Sequence, residues 1–84
     1  MRNIDQLKKK ILYRAEYRGI KEMDLLLGNF VKRFINEFND KELEQLNDLL
    51  NIDDDVLFRW YLNKRKEKKI PINKVSNLLK NFKI

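Results

Sequence analysis

Arg18, Gly19, Glu22 and Asp24 fall within the seven-residue stretch Arg18-Gly19-Ile20-Lys21-Glu22-Met23-Asp24. A guanidinium offers a planar fork of donors suited to carboxylates and carbonyls, and a glycine leaves its backbone open to close approach. The two carboxylates add acceptors, so the chemistry open to this set is recognition through hydrogen bonds. The chain has no histidine and no cysteine. That removes the commonest general base, the commonest transition-metal ligand and all thiol chemistry. No catalytic residue, no metal site and no enzymatic activity are expected. Two readings of the stretch stand side by side. Gly19 can be a helix stop, with Glu22 and Asp24 at the positive end of the next helix and Arg18 near the negative end of the last. Equally, Arg18 and Glu22 can bracket bare backbone on a surface turn that docks a partner.

Four other clusters carry less. Asp53-Asp54-Asp55 lacks the glycine and the distal glutamate of a calcium loop, and adjacent helical residues point in different directions, so helix capping accounts for it. Trp60 and Tyr61 could stack nucleobases, but a large aromatic at helical spacing belongs to a core or an interface. The basic run Lys64 to Lys69 has no interleaved aromatics and reads as a solvated loop, as do Lys8-Lys9-Lys10 with Arg14 on a helix surface.

Helices must position these residues. The composition is 43% hydrophobic and 38% charged with two glycines and one proline, a profile of few breakers that favours an all-α fold. Asn3 and Gln6 form a capping pair for a first helix whose apolar positions are Ile4, Leu7, Ile11, Leu12 and Ala15. Gly19 ends it. A central helix follows, carrying Met23, Leu26, Leu27, Phe30, Val31, Phe34, Ile35 and Phe38, with Gly28 marking close approach of a neighbour. Asn39 and Glu42 form a capping box, and Phe38 with Leu43 a hydrophobic staple, so a third helix starts at Asp40. Asp53 to Asp55 open a fourth through Leu57, Trp60 and Tyr61. After the basic loop, Pro71 stands in the first turn of a fifth helix that runs through Ile72, Val75, Leu78, Leu79 and Phe82. Residues 1–84 therefore read as one domain, a small five-helix bundle with a thin core.

Net charge is +6 and unevenly spread: +5 over Met1 to Lys21, −7 over Glu22 to Asp55 and +8 over Val56 to Ile84. A nucleic-acid binder presents a continuous basic face, and here an acidic middle interrupts it. No apolar run approaches the roughly 20 residues of a membrane helix. Met1-Arg2-Asn3-Ile4-Asp5 has no leader-like apolar core, and with no cysteine the expected compartment is a reducing bacterial cytoplasm.

Arg18-Gly19-x-x-Glu22-x-Asp24, followed by Leu25-Leu26-Leu27-Gly28-Asn29-Phe30, resembles the signature of the SdhE family of succinate dehydrogenase assembly factors. Leu49-Leu50, Asp53-Asp54-Asp55, Leu57 and Trp60 resemble that family's later segment, so the likeness covers Tyr13 to Leu62. It implies a five-helix bundle that binds the flavoprotein subunit of succinate dehydrogenase, and in some bacteria that of fumarate reductase, and promotes covalent attachment of FAD. The factor would be chaperone-like and monomeric when free, would bind no cofactor itself and would act on the FAD of its client. Arg18, Gly19, Glu22, Asp24 and Tyr17 would be its partner-binding residues. Tyr17 stands where relatives often carry a second basic residue, so its ring is free to pack on the client. The rival readings are a small basic nucleic-acid-binding protein and a generic helical interaction module. The acidic middle argues against the first, and the motif argues against both.

Overall fold

A computed structural model describes residues 4–63 and 67–83. Five helices follow one another: α1 (Ile4–Glu16), α2 (Lys21–Phe34), α3 (Asp40–Leu50), α4 (Asp54–Asn63) and α5 (Lys74–Asn81), with no strand among the described residues. The all-α expectation holds. The Asn3 cap and Lys64, Arg65 and Lys66 of the basic run lie outside the described residues.

The helical stripes read from the sequence converge on one core. Ile11 and Ala15 of α1, Met23, Leu26, Leu27, Phe30 and Val31 of α2, and Leu43, Leu46 and Leu49 of α3 are buried. Val56, Leu57 and Trp60 of α4 and Val75 and Leu79 of α5 join them. Trp60 is thus a core residue. Phe30 lies near the centre, with Phe34, Phe38 and Phe82 within 6.4 Å of its ring centroid. A radius of gyration of 12.0 Å is what a single packed unit of this length gives.

Capping sets the boundaries. Asn39 Oδ1 accepts from the Glu42 N–H at 2.8 Å while Glu42 Oε1 accepts from the Asn39 N–H at 2.9 Å, so α3 begins where the capping box placed it. Glu42 also receives Lys74 Nζ of α5 at 2.8 Å. That hydrogen bond, then the one from the Asn39 backbone, holds the Glu42 carboxyl below its ordinary value.

Three boundaries differ from the sequence reading. The α2 stripe continues to Phe38, but the helix ends at Phe34, and a turn closed by Glu37 N–H to Phe34 O at 2.8 Å delivers Phe38 to the staple position. α5 starts at Lys74, not at Pro71, because Asn73 and Ser76 form their own capping box, with Asn73 Oδ1 accepting from Ser76 N–H at 2.9 Å and Ser76 Oγ from Asn73 N–H at 3.0 Å. Ile72, expected on the buried face, is 77% exposed as a result. Finally, α1 stops at Glu16, ahead of Gly19, and Gly19 does not adopt the left-handed conformation of a glycine helix stop. The stop has another cause. The Arg18 N–H, which a continuing helix would give to Arg14 O, goes to Asp24 Oδ1 at 2.6 Å. Arg18 Nη1 approaches the vacated Arg14 carbonyl at 3.5 Å.

Gly28 is buried where α2 crosses α1. A Cβ there would meet Glu16 Cγ at 3.5 Å, an ordinary van der Waals contact. The crossing is close, but it does not demand glycine.

Candidate functional site

The joint between α1 and α2, residues 17–20, faces the turn between α3 and α4. Between them lies an open groove of about 430 Å³, lined by Tyr13, Arg14, Tyr17, Arg18 and Gly19 on one side and residues 50–54 on the other. Arg18 and Gly19 of the motif read from the sequence therefore stand in one wall of a concave surface, with Tyr17 beside them, while Glu22 and Asp24 lie outside its lining.

Arg18 is turned into this wall. Its side chain is 11% exposed. Nε donates to Asp54 Oδ1 at 2.6 Å, Nη1 to Leu50 O at 2.7 Å and Nη2 to Ile52 O at 3.0 Å. Leu50 is the last residue of α3, so the guanidinium satisfies carbonyls that a helix C-terminus leaves without partners and places positive charge at its negative end. The other Asp54 oxygen accepts from Gly19 N–H at 3.3 Å. One carboxylate thus ties both motif residues to the first turn of α4. A pair this enclosed is held by geometry as much as by charge, since all three guanidinium nitrogens find acceptors.

Asp24, in the first turn of α2, is also engaged internally, its Oδ1 accepting from the Arg18 backbone N–H at 2.6 Å. Ile20, at the N-cap position of α2, makes no side-chain cap.

The remaining motif residues face outward. Gly19 is exposed, and a Cβ built on it meets nothing within 4 Å. With no positive φ to accommodate, nothing inside the folded chain calls for glycine at this position. Glu22 is exposed on the first turn of α2, and its carboxylate makes no hydrogen bond or ion pair among the described residues. Tyr17 is 69% exposed and lies beside Tyr13, 64% exposed, with ring centroids 4.6 Å apart. The two rings are tilted by 32°, so two large aromatics lie in solvent beside bare backbone, and rigid rings of this kind can add contact area at low entropic cost.

Tyr13, Arg14 and Asp54 belong to this surface without having been singled out as partners of the motif. The available signal was spacing: Tyr13 and Tyr17, and Arg14 and Arg18, are each four apart, so two aromatics and two arginines share one helix face. Asp54, read as one of three capping carboxylates, is taken by Arg18, and nothing local marks a partner 36 positions away. Among the described residues no cluster of three acidic, histidine or cysteine side chains is disposed to hold a metal. No helix among them is long and apolar enough to cross a membrane.

Residues 9–83 match the family described as flavinator of succinate dehydrogenase. Among curated proteins, the mitochondrial succinate dehydrogenase assembly factor 2 of Dictyostelium discoideum is 41% identical over 61 residues, covering 73% of this chain and 43% of that protein. The protein of the same name from Saccharomyces cerevisiae is 32% identical over 68 residues, covering 81% and 42%. That from Arabidopsis thaliana is 35% identical over 51 residues, covering 61% and 27%. The chain spans less than half the length of these relatives. No solved structure gives a significant match. The expectation of a bacterial cytoplasm is overturned by these names, which belong to eukaryotic proteins and give the mitochondrion as their compartment. The start of the sequence carries no weight on compartment, since the chain aligns with only part of each relative. With the motif, the five-helix order and a match over nearly the whole chain in agreement, this protein belongs to the succinate dehydrogenase assembly factor family, the flavinators of succinate dehydrogenase.

Proposed function

We propose that this chain binds the flavoprotein subunit of succinate dehydrogenase through the α1–α2 joint and promotes covalent attachment of FAD to it. One observation carries the reading: Gly19 is an exposed glycine that no steric or conformational feature of its own fold requires. A glycine without an internal reason, set between two paired, exposed tyrosines and a free carboxylate, is accounted for by a partner whose backbone comes too close for any Cβ.

In this reading the factor supplies no catalytic group. Its contribution is to hold the client so that the flavin and the client side chain that bonds to it meet in reactive geometry, which lowers the entropic part of the barrier. Gly19 sets the distance of approach, Tyr17 and Tyr13 supply contact area, and Glu22 accepts hydrogen bonds or pairs with a client cation. Arg18 and Asp24 act at one remove, by fixing the shape of the joint. FAD stays with the client. The chain has two glycines in all and no glycine-rich phosphate loop, so FAD alone should bind weakly or not at all. Succinate dehydrogenase is the one client that the relatives' names support, and the reading includes no nucleic acid.

The test is covalent flavin loading of the client by wild type and by Gly19→Arg. A folded Gly19→Arg protein that loads the client normally removes the reading.

A further inference from the structure

Arg14 and Arg18, one helical turn apart, line the same groove and differ in what they have left to offer. Arg18 commits Nε, Nη1 and Nη2 to Asp54, Leu50 and Ile52. It has no complete edge to give a partner. Arg14 directs Nη1 alone toward the protein, at 2.6 Å from Asn51 Oδ1 and 3.3 Å from Asn47 Oδ1. Those two bonds use both Nη1 protons. Its Nε and Nη2 make no hydrogen bond among the described residues: of the two acids in the groove lining, Asp54 is occupied by Arg18 and Gly19, and Asp53 is exposed and makes no bond to Arg14.

The unused part of Arg14 has a defined shape. Nε–H and one Nη2–H project in parallel from the same edge of the plane, the arrangement that receives both oxygens of a carboxylate. Asn47 and Asn51, one turn apart on α3 and its C-cap, hold the guanidinium from behind, so little side-chain freedom remains to be lost when a ligand arrives. Tyr13 and Tyr17 line the same open groove, so a carboxylate seated on Arg14 would have two aromatic rings beside it, and a docked partner would lower the local dielectric around the bond.

We propose that Arg14 is the arginine presented to the partner and that its ligand is a carboxylate side chain, an aspartate or glutamate of the client protein. The inference rests on the docking reading above and adds to it a contact residue outside the motif and the chemistry of the group it meets. Arg18 then builds the groove, and Arg14 reads the partner within it.

Calorimetric titration of the purified client flavoprotein subunit into wild type, Arg14→Gln, Arg14→Lys and Gly19→Arg tests it, with each variant's melting curve measured first. Arg14→Gln should bind about ten-fold more weakly, the loss of a paired charge-assisted contact. Arg14→Lys should lose about three-fold or more, because an ammonium keeps the charge and lacks the parallel edge. Wild-type affinity should also fall more steeply with added NaCl than that of Arg14→Gln, a difference that loss of packing alone would not produce. Arg14→Gln binding within about two-fold of wild type, while Gly19→Arg has lost binding, overturns the inference and leaves the docking reading intact. Wild-type binding by Gly19→Arg as well overturns both. Should Arg14→Gln fail to fold, Arg14→Lys decides, and wild-type affinity there overturns the inference.

Discussion

Arg18 and Asp54 are 36 positions apart in the chain and meet at 2.6 Å, with the same carboxylate reaching on to the Gly19 N–H. This contact joins the α1–α2 joint to the start of α4 and gives the motif arginine a structural duty. Loss of either partner leaves charged or carbonyl groups with low exposure and no counterpart. Arg18→Ala and Asp54→Ala should each destabilise the fold by about 2–3 kcal/mol. In a double-mutant cycle read by urea unfolding, the pair should couple by about 1–2 kcal/mol. Additive effects would show that the contact contributes little.

Gly28 gives the opposite expectation. A Cβ there makes ordinary contact with Glu16 Cγ at 3.5 Å, and glycine within a helix costs about 0.5–1 kcal/mol relative to alanine. Gly28→Ala should therefore raise stability by about that amount, measured as a higher urea midpoint at constant slope.

Glu42 ties α3 to α5 through Lys74, and its carboxyl is held below the ordinary value, first by the Lys74 hydrogen bond and then by the Asn39 N–H. The unfolded chain therefore binds this proton more readily than the folded one. The sign follows: the contribution is present above the unfolded value of about 4.3 and disappears as pH falls through the lower folded value. Melting curves of wild type and Glu42→Gln should differ at neutral pH and converge in acid below that range. A gap that stays constant would show that the contact is not linked to the proton.

The second capping box makes a local claim. Asn73 accepts from Ser76 N–H at 2.9 Å and sets the start of α5. Asn73→Ala should cost about 1 kcal/mol, seen in chemical denaturation.

Much of this fold can be read from residue types and spacing. The Asn39–Glu42 box, the Phe38–Leu43 staple and the apolar stripes are local, and local patterns survive into the structure. The missed boundaries share a cause. At Phe34 and Pro71 a helical period continued past the helix, and turn and cap geometry overrode it. At Gly19 the residue type suggested a left-handed stop, whereas the stop comes from an Asp24 carboxylate claiming the Arg18 N–H. The site divides along the same line. Gly19, Glu22 and Tyr17 are exposed at the joint where the motif put them, but the inward turn of Arg18 depends on Asp54 and on carbonyls of a turn more than 30 positions away. Arg14 looked like one more solvated surface cation because its asparagine partners are equally distant.

In the proposed function, an exposed joint with glycine at its centre docks the client for flavin attachment. The most direct measurement is the covalent FAD content of the purified client subunit after co-expression with wild type or Gly19→Arg. A Cβ at exposed Gly19 meets nothing within 4 Å and the backbone needs no positive φ, so the variant's stability should stay within about 0.5 kcal/mol of wild type, as for other exposed substitutions. The expected result is a folded variant with covalent flavin in the client reduced to the level found with no factor. Wild-type covalent flavin in the presence of folded Gly19→Arg would contradict the account.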